Sequence, residues 1–179
     1  SRNERNANSG IVVNIEPQDV EAYGAFPGDP LAGVAFQRHW ETRAFELGGS
    51  TFAAPAQRLG DFLAGRPSEQ LGSVAPSYAP GIRLTDLSTA LPEEVIAALR
   101  EALPAFNRSI DGYAMEDAIL TGVETRTSSP IRLPRQGESA DDALQSVNTP
   151  GLYPAGEGAG YAGGILSAAI DGIRVAEAV

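Results

Sequence analysis

The chain has 179 residues, 42% of them hydrophobic, and its 13 basic against 23 acidic side chains leave a formal charge of −10 at pH 7. That length suits one domain, or a domain plus a smaller piece, and the apolar share is enough for a core. The acidic balance argues against a nucleic-acid backbone or an anionic membrane as the main partner. No apolar run approaches the roughly 20 residues of a membrane helix, and no charged-then-apolar start reads as a signal peptide; a cytoplasmic protein is the expectation. Cys is absent, which excludes disulfides and thiolate metal sites. Every basic residue is Arg, so no Schiff-base or P-loop lysine exists. His39 is the single histidine; without Cys, no His-rich metal site can form, and no metal is expected. A lone helical His beside Trp40 reads as a packing or surface residue.

In chain order, "SRNERNANSG" is polar and turn-rich and fits a cut through a larger protein. "IVVNI", residues 11–15, reads as a short strand that Pro17 stops. Asp29-Pro30 starts a helix, with a carboxylate to cap it and a proline at its first position, and Gly48-Gly49 stop it. "PAQRLGDFLAG" reads as a second, shorter helix with Leu59, Phe62 and Leu63 inward. Residues 66–90 carry several prolines and little period, so they read as an extended surface connection. "LPEEVIAALREAL" is the clearest helix: Pro92 opens it, Glu93 and Glu94 suit its positive end, and Val95, Leu99, Ala102 and Leu103 form a stripe. Pro104 is expected to end it. "YAMEDAILTGVETRTSSPIRLP" favours strands with a turn near Gly122, and "RQGESADDALQSVNTP" reads as a polar loop. Arg58 and Asp61 read as an i, i+3 surface pair. Glu116 and Asp117 are adjacent, point to opposite faces of a strand, and do not read as a catalytic dyad. The pattern is α+β, not regular βαβ alternation.

The last stretch, "GLYPAGEGAGYAGGILSAAIDGIRVAEAV", carries the sharpest signal. "GLYPAG" reads as a short buried strand, "GEGAGYAGG" as a glycine turn, and the rest as a helix apolar nearly all round, expected to be buried on several sides. Gly158, Gly160 and Gly163 fit G-x-G-x-x-G by letter. A dinucleotide fingerprint also needs a following strand with an acidic residue about 20 positions on, and no room for one remains. On the pattern alone, a glycine hinge for close helix packing is the favoured explanation.

This segment resembles the carboxy-terminal segment of FAD-dependent oxidoreductases with the glutathione-reductase-like FAD fold. It looks closest to the uncharacterised bacterial FAD-dependent dehydrogenases, whose substrate domain is inserted into the FAD domain. "ANSGIVV", "DPLAGVAFQRHWETRAFELGG", "APAQRLGDFLAGRPS" and "LPAFNRSIDGYAMEDAILTGVETRTSSPIR" are similar to that family too. The resemblance implies the carboxy-terminal portion of a longer flavoprotein. It implies a first part of the inserted β-rich domain over 1–26, a helical insert over 27–110, returning strands over 111–140, and the closing strand–turn–helix over 141–179. FAD would be the cofactor of the parent, bound weakly or not at all by this chain alone. Its partners would be the amino-terminal FAD/ADP-binding portion and a small-molecule substrate.

By the same resemblance, Gly156 and Glu157 would meet the ribityl and pyrophosphate part of FAD. Gly158, Gly160, Tyr161, Ala162, Gly163, Gly164 and Ile165 would line the flavin's pyrimidine edge, with the helix amino terminus stabilising negative charge on the reduced ring. Arg126, Thr127 and Ser128 are candidates for binding a substrate carboxylate or a cofactor edge. No catalytic residue stands out. Two other readings stay open on the residues alone: a non-enzymatic helical interaction module, and an independent nucleotide-binding domain.

Overall fold

A computed structural model describes residues 6–137 and 143–179. It is an α+β structure in two compact units. The first takes residues 1–16 and 39–123; the second takes 17–38 and 124–179. Helix α1 (Pro17–Val20) lies in the second unit, and α2 (Ala32–Leu47) gives its first turns to the second unit and its last turns to the first. α2 begins at Ala32, two residues after the expected Pro30, and Asp29 fixes the turn leading into it: its two carboxylate oxygens accept from the Leu31 N–H at 2.8 Å and the Ala25 N–H at 2.9 Å.

The first unit is built on strand β1 (Ala54–Arg58), which runs straight into α3 (Leu59–Leu63). Here the structure departs from the sequence expectation, which made all of 55–65 helical. β1 is the centre of a three-stranded sheet, parallel to β2 (Ile82–Leu84) and antiparallel to β3 (Ile119–Thr121). A proline in a central strand is unusual because it donates nothing to the ladder. Pro55 is tolerated because its carbonyl still accepts from the Gly122 N–H at 3.0 Å. Residues 56–58 then register with 119–121, and the Leu59 N–H continues the ladder to the Ala118 carbonyl.

Leu59 and Phe62 enter the core from α3, as expected, and meet Leu87, Ala90, Ile96 and Leu103. Ile96 and Leu103 lie on α4 (Glu93–Asn107), with Val95 also buried and Leu99 packed against the same cluster. Pro104 does not end α4, which continues for three more residues. A proline removes the donor to a carbonyl one turn earlier, but residues after it keep their own N–H groups. Arg108 and Ile110 use theirs on the Ala105 and Phe106 carbonyls.

The expected strand at 11–15 is not formed; Ile11 packs on the core instead, since β-branched residues make a strand only where a partner edge is offered. Of the strands expected in 113–134, only β3 forms. Residues 138–142 of the expected polar loop lie outside the described residues, as do residues 1–5.

Three polar residues are buried where β1 meets the following connection. Gln57, fully buried, donates to the Arg66 carbonyl at 2.7 Å and accepts from the Leu87 N–H at 2.8 Å. Asp61 does lie 3.8 Å from Arg58, but it is no surface pair: its carboxylate is buried and accepts from Arg66 Nε and the Ser68 hydroxyl, each at 2.8 Å. Arg58 makes its short contact with Asp117 at 2.6 Å, and the Ser73 N–H donates to the other Asp117 oxygen. Asp117 is thus a structural tie, paired with Arg58 rather than with Glu116.

Gln57→Leu keeps the size but strands one donor and one acceptor inside the unit. Each buried group left unpaired costs about 1–3 kcal/mol, so a loss of roughly 2 kcal/mol or more is expected in urea unfolding. An unchanged midpoint would show that Gln57 is not what holds 66 and 87 to β1.

Candidate functional site

The glycine turn lies in the second unit and is followed by α5 (Ile165–Ala178). Residues 151–155 are irregular, not the expected strand: Pro154 has no N–H to donate, and the ladder-like contacts reduce to an Arg135–Ser146 bridge and a Ser146 N–H to Leu152 carbonyl bond of 2.7 Å. A single 3₁₀ turn spans Glu157–Ala159.

Two glycines of the turn have positive φ. Gly156 sits at φ +67°, ψ −157° and Gly160 at φ +81°, ψ +22°. Gly156 occupies a region essentially closed to other residues, and Gly160 the left-handed region. At Gly160 an added Cβ would also fall 2.6 Å from the Ile131 carbonyl oxygen. Gly158 and Gly163 differ: a Cβ at either meets nothing within 4 Å. Glu157, Gly158, Gly163, Gly164 and Ile165 are exposed, while Gly156, Tyr161 and Ala162 are half-buried. Among the described residues no side chain caps the first turn of α5, which leaves its amino-terminal N–H groups and positive dipole end suited to an acceptor or an anion.

The turn is held by a group the sequence reading did not single out. Asp171, on α5, is buried. One of its oxygens accepts from Arg135 Nη2 at 2.6 Å; the other accepts from Arg135 Nη1 at 3.1 Å and from the Gly156 N–H at 2.8 Å. Arg135 Nη1 also donates to the Pro154 carbonyl at 3.1 Å. The Arg135 guanidinium lies over the Tyr161 ring at 3.7 Å, and Arg132 over the same ring at 4.3 Å. The Tyr161 hydroxyl accepts from the Arg135 N–H and donates to the Leu133 carbonyl, each at 3.1 Å. One signal in the sequence could have exposed this group: a carboxylate on a helix apolar nearly all round needs a partner when that face is buried.

The same pair explains which face of α5 turns inward. The sequence suggested burial on several sides, with Ile165, Ala169, Gly172, Ile173 and Ala176 as one face. The buried residues are Asp171 and Val175, with Ala168 half-buried, and Ile165, Leu166, Ile170 and Ile173 stand exposed. The bidentate bond to Arg135 fixes the helix by its polar residue, and the large apolar ones follow on the outer side.

The Arg135 hydrogen bonds outweigh burial and, with the Gly156 N–H and the Arg174 charge, hold the Asp171 carboxyl below the usual carboxylate range. A lowered folded value means the stability is fully present above the unfolded value, near pH 4, and is lost as pH falls through the folded one. Asp171→Asn should therefore flatten the acid limb of the stability–pH curve below about pH 4. A variant whose acid limb matches the parent's would show that this carboxylate is not the titrating group.

Arg126, Thr127 and Ser128 form an exposed stretch of the same unit. The Arg126 N–H donates to the Glu124 carboxylate at 2.6 Å, and the Thr125 carbonyl accepts from Gln37 at 2.7 Å. The tie between this stretch and the glycine turn runs through the next residue. The Ser129 hydroxyl donates to the Ile131 carbonyl at 2.9 Å, with the Gly158 carbonyl also in reach at 3.3 Å. His39 is exposed and meets Trp40 edge to face at 4.9 Å. Among the described residues, no group of three or more His, Asp or Glu could hold a metal ion.

A sequence model of the family described as "FAD-dependent protein, C-terminal domain-like" matches residues 1–127. The chain belongs to this family. The match takes in Arg126 and Thr127 and stops before the glycine turn. A Clostridium beijerinckii protein, described as an uncharacterized protein, is 52% identical over 172 residues, which is 96% of this chain and 30% of the relative. This FAD-dependent protein C-terminal domain thus spans under a third of the length of the curated relative it matches. No helix among its described residues is long and apolar enough to cross a membrane.

Proposed function

We propose that this chain is the carboxy-terminal part of an FAD-dependent oxidoreductase of the dehydrogenase type, and that its Gly156–Ile165 turn closes the flavin site of the parent polypeptide. One observation carries the reading. In a domain of an FAD-dependent family, a glycine turn with open space at Gly158 and Gly163 leads into a helix whose first turn has no side-chain cap. Such an edge suits a planar ring bearing carbonyl and ring-nitrogen acceptors.

When bound, the flavin supplies hydride or electron transfer. The chain's own residues bind and orient. The backbone N–H groups of Gly158, Gly163 and Gly164 would donate to the ring edge, while those of Gly160 and Tyr161 close the turn on the Glu157 and Gly156 carbonyls. The amino terminus of α5 favours negative charge there. The Glu157 carboxylate, exposed beside Gly156, would accept from ribityl hydroxyls. Tyr161 would support the turn, its hydroxyl already committed to Leu133 and Arg135. Arg126, Thr127 and Ser128 hold a carboxylate or polar edge of a small-molecule substrate. The exposed Ile165, Leu166, Ile170 and Ile173 supply an apolar face for the amino-terminal FAD/ADP-binding portion.

The test is flavin content. The full-length parent should purify yellow, and Gly163→Val should lose most of its flavin absorbance while remaining folded, because a side chain at 163 meets open space. The isolated 179-residue chain should emerge from gel filtration without flavin. Flavin retained by the Gly163→Val parent overturns the reading; flavin retained by the isolated chain overturns the expectation that the site needs the rest of the polypeptide.

A further inference from the structure

The Arg135–Asp171 pair is an expensive way to hold a turn in place. Both side chains are only 10% exposed. Burying two charges forfeits their hydration, and a well-packed apolar pair of the same volume often stabilises a fold as well or better. What an apolar pair cannot do is reach the backbone at several points together. Asp171 takes the Gly156 N–H, and Arg135 takes the Pro154 carbonyl, the face of the Tyr161 ring and, through its own N–H, the Tyr161 hydroxyl. Gly156 lies where φ is +67° and has no side chain with which to fix its own peptide. The carboxylate from α5 fixes it instead. None of these bonds consumes the N–H groups of Gly158, Gly163 or Gly164, so the turn is clamped at its root and its glycine edge is left to a ligand.

We propose that Arg135 and Asp171 are positioning residues, which set the backbone geometry with which the Gly156–Gly164 turn meets its ligand rather than only stabilising the unit. This rests on the flavin reading above. A positioning role predicts that the pair controls affinity and ring environment even where the protein is fully folded. A merely structural role predicts a lower melting point and nothing more.

The experiment uses the full-length parent, with free FAD as the probe, at a temperature where every variant is folded. Asp171→Asn should weaken the FAD dissociation constant about tenfold, the scale on which supporting residues usually act, and should alter the visible-region circular dichroism of the bound flavin. Arg135→Lys keeps the cation but loses the fork, and should fall between the two. Gln57→Leu, in the other unit, is the matched control: it should lower the melting point and leave both flavin readouts unchanged. If Asp171→Asn does not fold, Arg135→Lys carries the same two readouts.

The proposal is overturned if Asp171→Asn and Arg135→Lys lower the melting point with dissociation constant and dichroism intact, or if Gln57→Leu shifts them equally. Gly163→Val separates the two claims. Unchanged FAD binding in that variant brings down the flavin reading itself. Lost binding in Gly163→Val, with normal binding in Asp171→Asn, brings down the positioning role alone.

Discussion

Gly160→Val is expected to cost the second unit roughly 3 kcal/mol, while Gly163→Val should change stability by less than about 0.5 kcal/mol. The two positions share one letter pattern and differ in physical demand. At Gly160 the backbone is left-handed, at φ +81°, where a β-branched residue is a genuine outlier. The added Cβ would also fall 2.6 Å from the Ile131 carbonyl oxygen and 3.0 Å from Arg132 Cα, both parts of a backbone that cannot swing aside as a side chain would. At Gly163 there is no atom within 4 Å to displace. The shape of the turn therefore requires glycine at 160, whereas no contact among the described residues requires it at 163. Urea unfolding of the two variants, followed by circular dichroism, makes the comparison. Equal midpoints would mean that the turn relaxes around Gly160, and that the close approach to Ile131 is not a constraint on the fold.

What the sequence revealed, and what it hid, follows from how far apart the interacting residues lie. Helix α4 was legible because its stripe, its Pro92 start and its two glutamates all act within one or two turns. The start of α2 was legible for the same reason, since Asp29 bonds residues two and four positions away. The turn and final helix were legible through local glycine spacing. β1 was not, because nothing local marks Ala54–Arg58 as a strand; its partners lie at 82–84 and 119–121, and only they satisfy it. The strand expected at 11–15 failed for the converse reason: its propensity was right and no edge met it. The clamp of the candidate site was hidden most deeply. Arg135 and Asp171 are 36 residues apart, and neither stands in a motif. A resemblance could point to the turn, but only the fold shows what holds the turn still.

Asp171→Ala should damage the second unit about as much as Gly160→Val, costing about 3 kcal/mol. The substitution removes both oxygens that the Arg135 fork grips, leaves the Gly156 N–H without its acceptor, and takes the bidentate carboxylate from a guanidinium whose side chain is only 10% exposed. Part of the cation's loss is made good by contacts that remain, among them the Pro154 carbonyl and the Tyr161 ring. That residue of contacts argues for a value near the lower end for a broken buried pair rather than the upper. The double variant Arg135→Met, Asp171→Leu sharpens the prediction. With both charges gone, the Gly156 N–H and the Pro154 carbonyl lose a partner but no lone charge is left buried, so the double variant should be more stable than Asp171→Ala alone. Chemical unfolding of the single and double variants decides it. If the double variant is the less stable one, the two side chains contribute independently through packing, and the charge pair is not what ties α5 to the glycine turn.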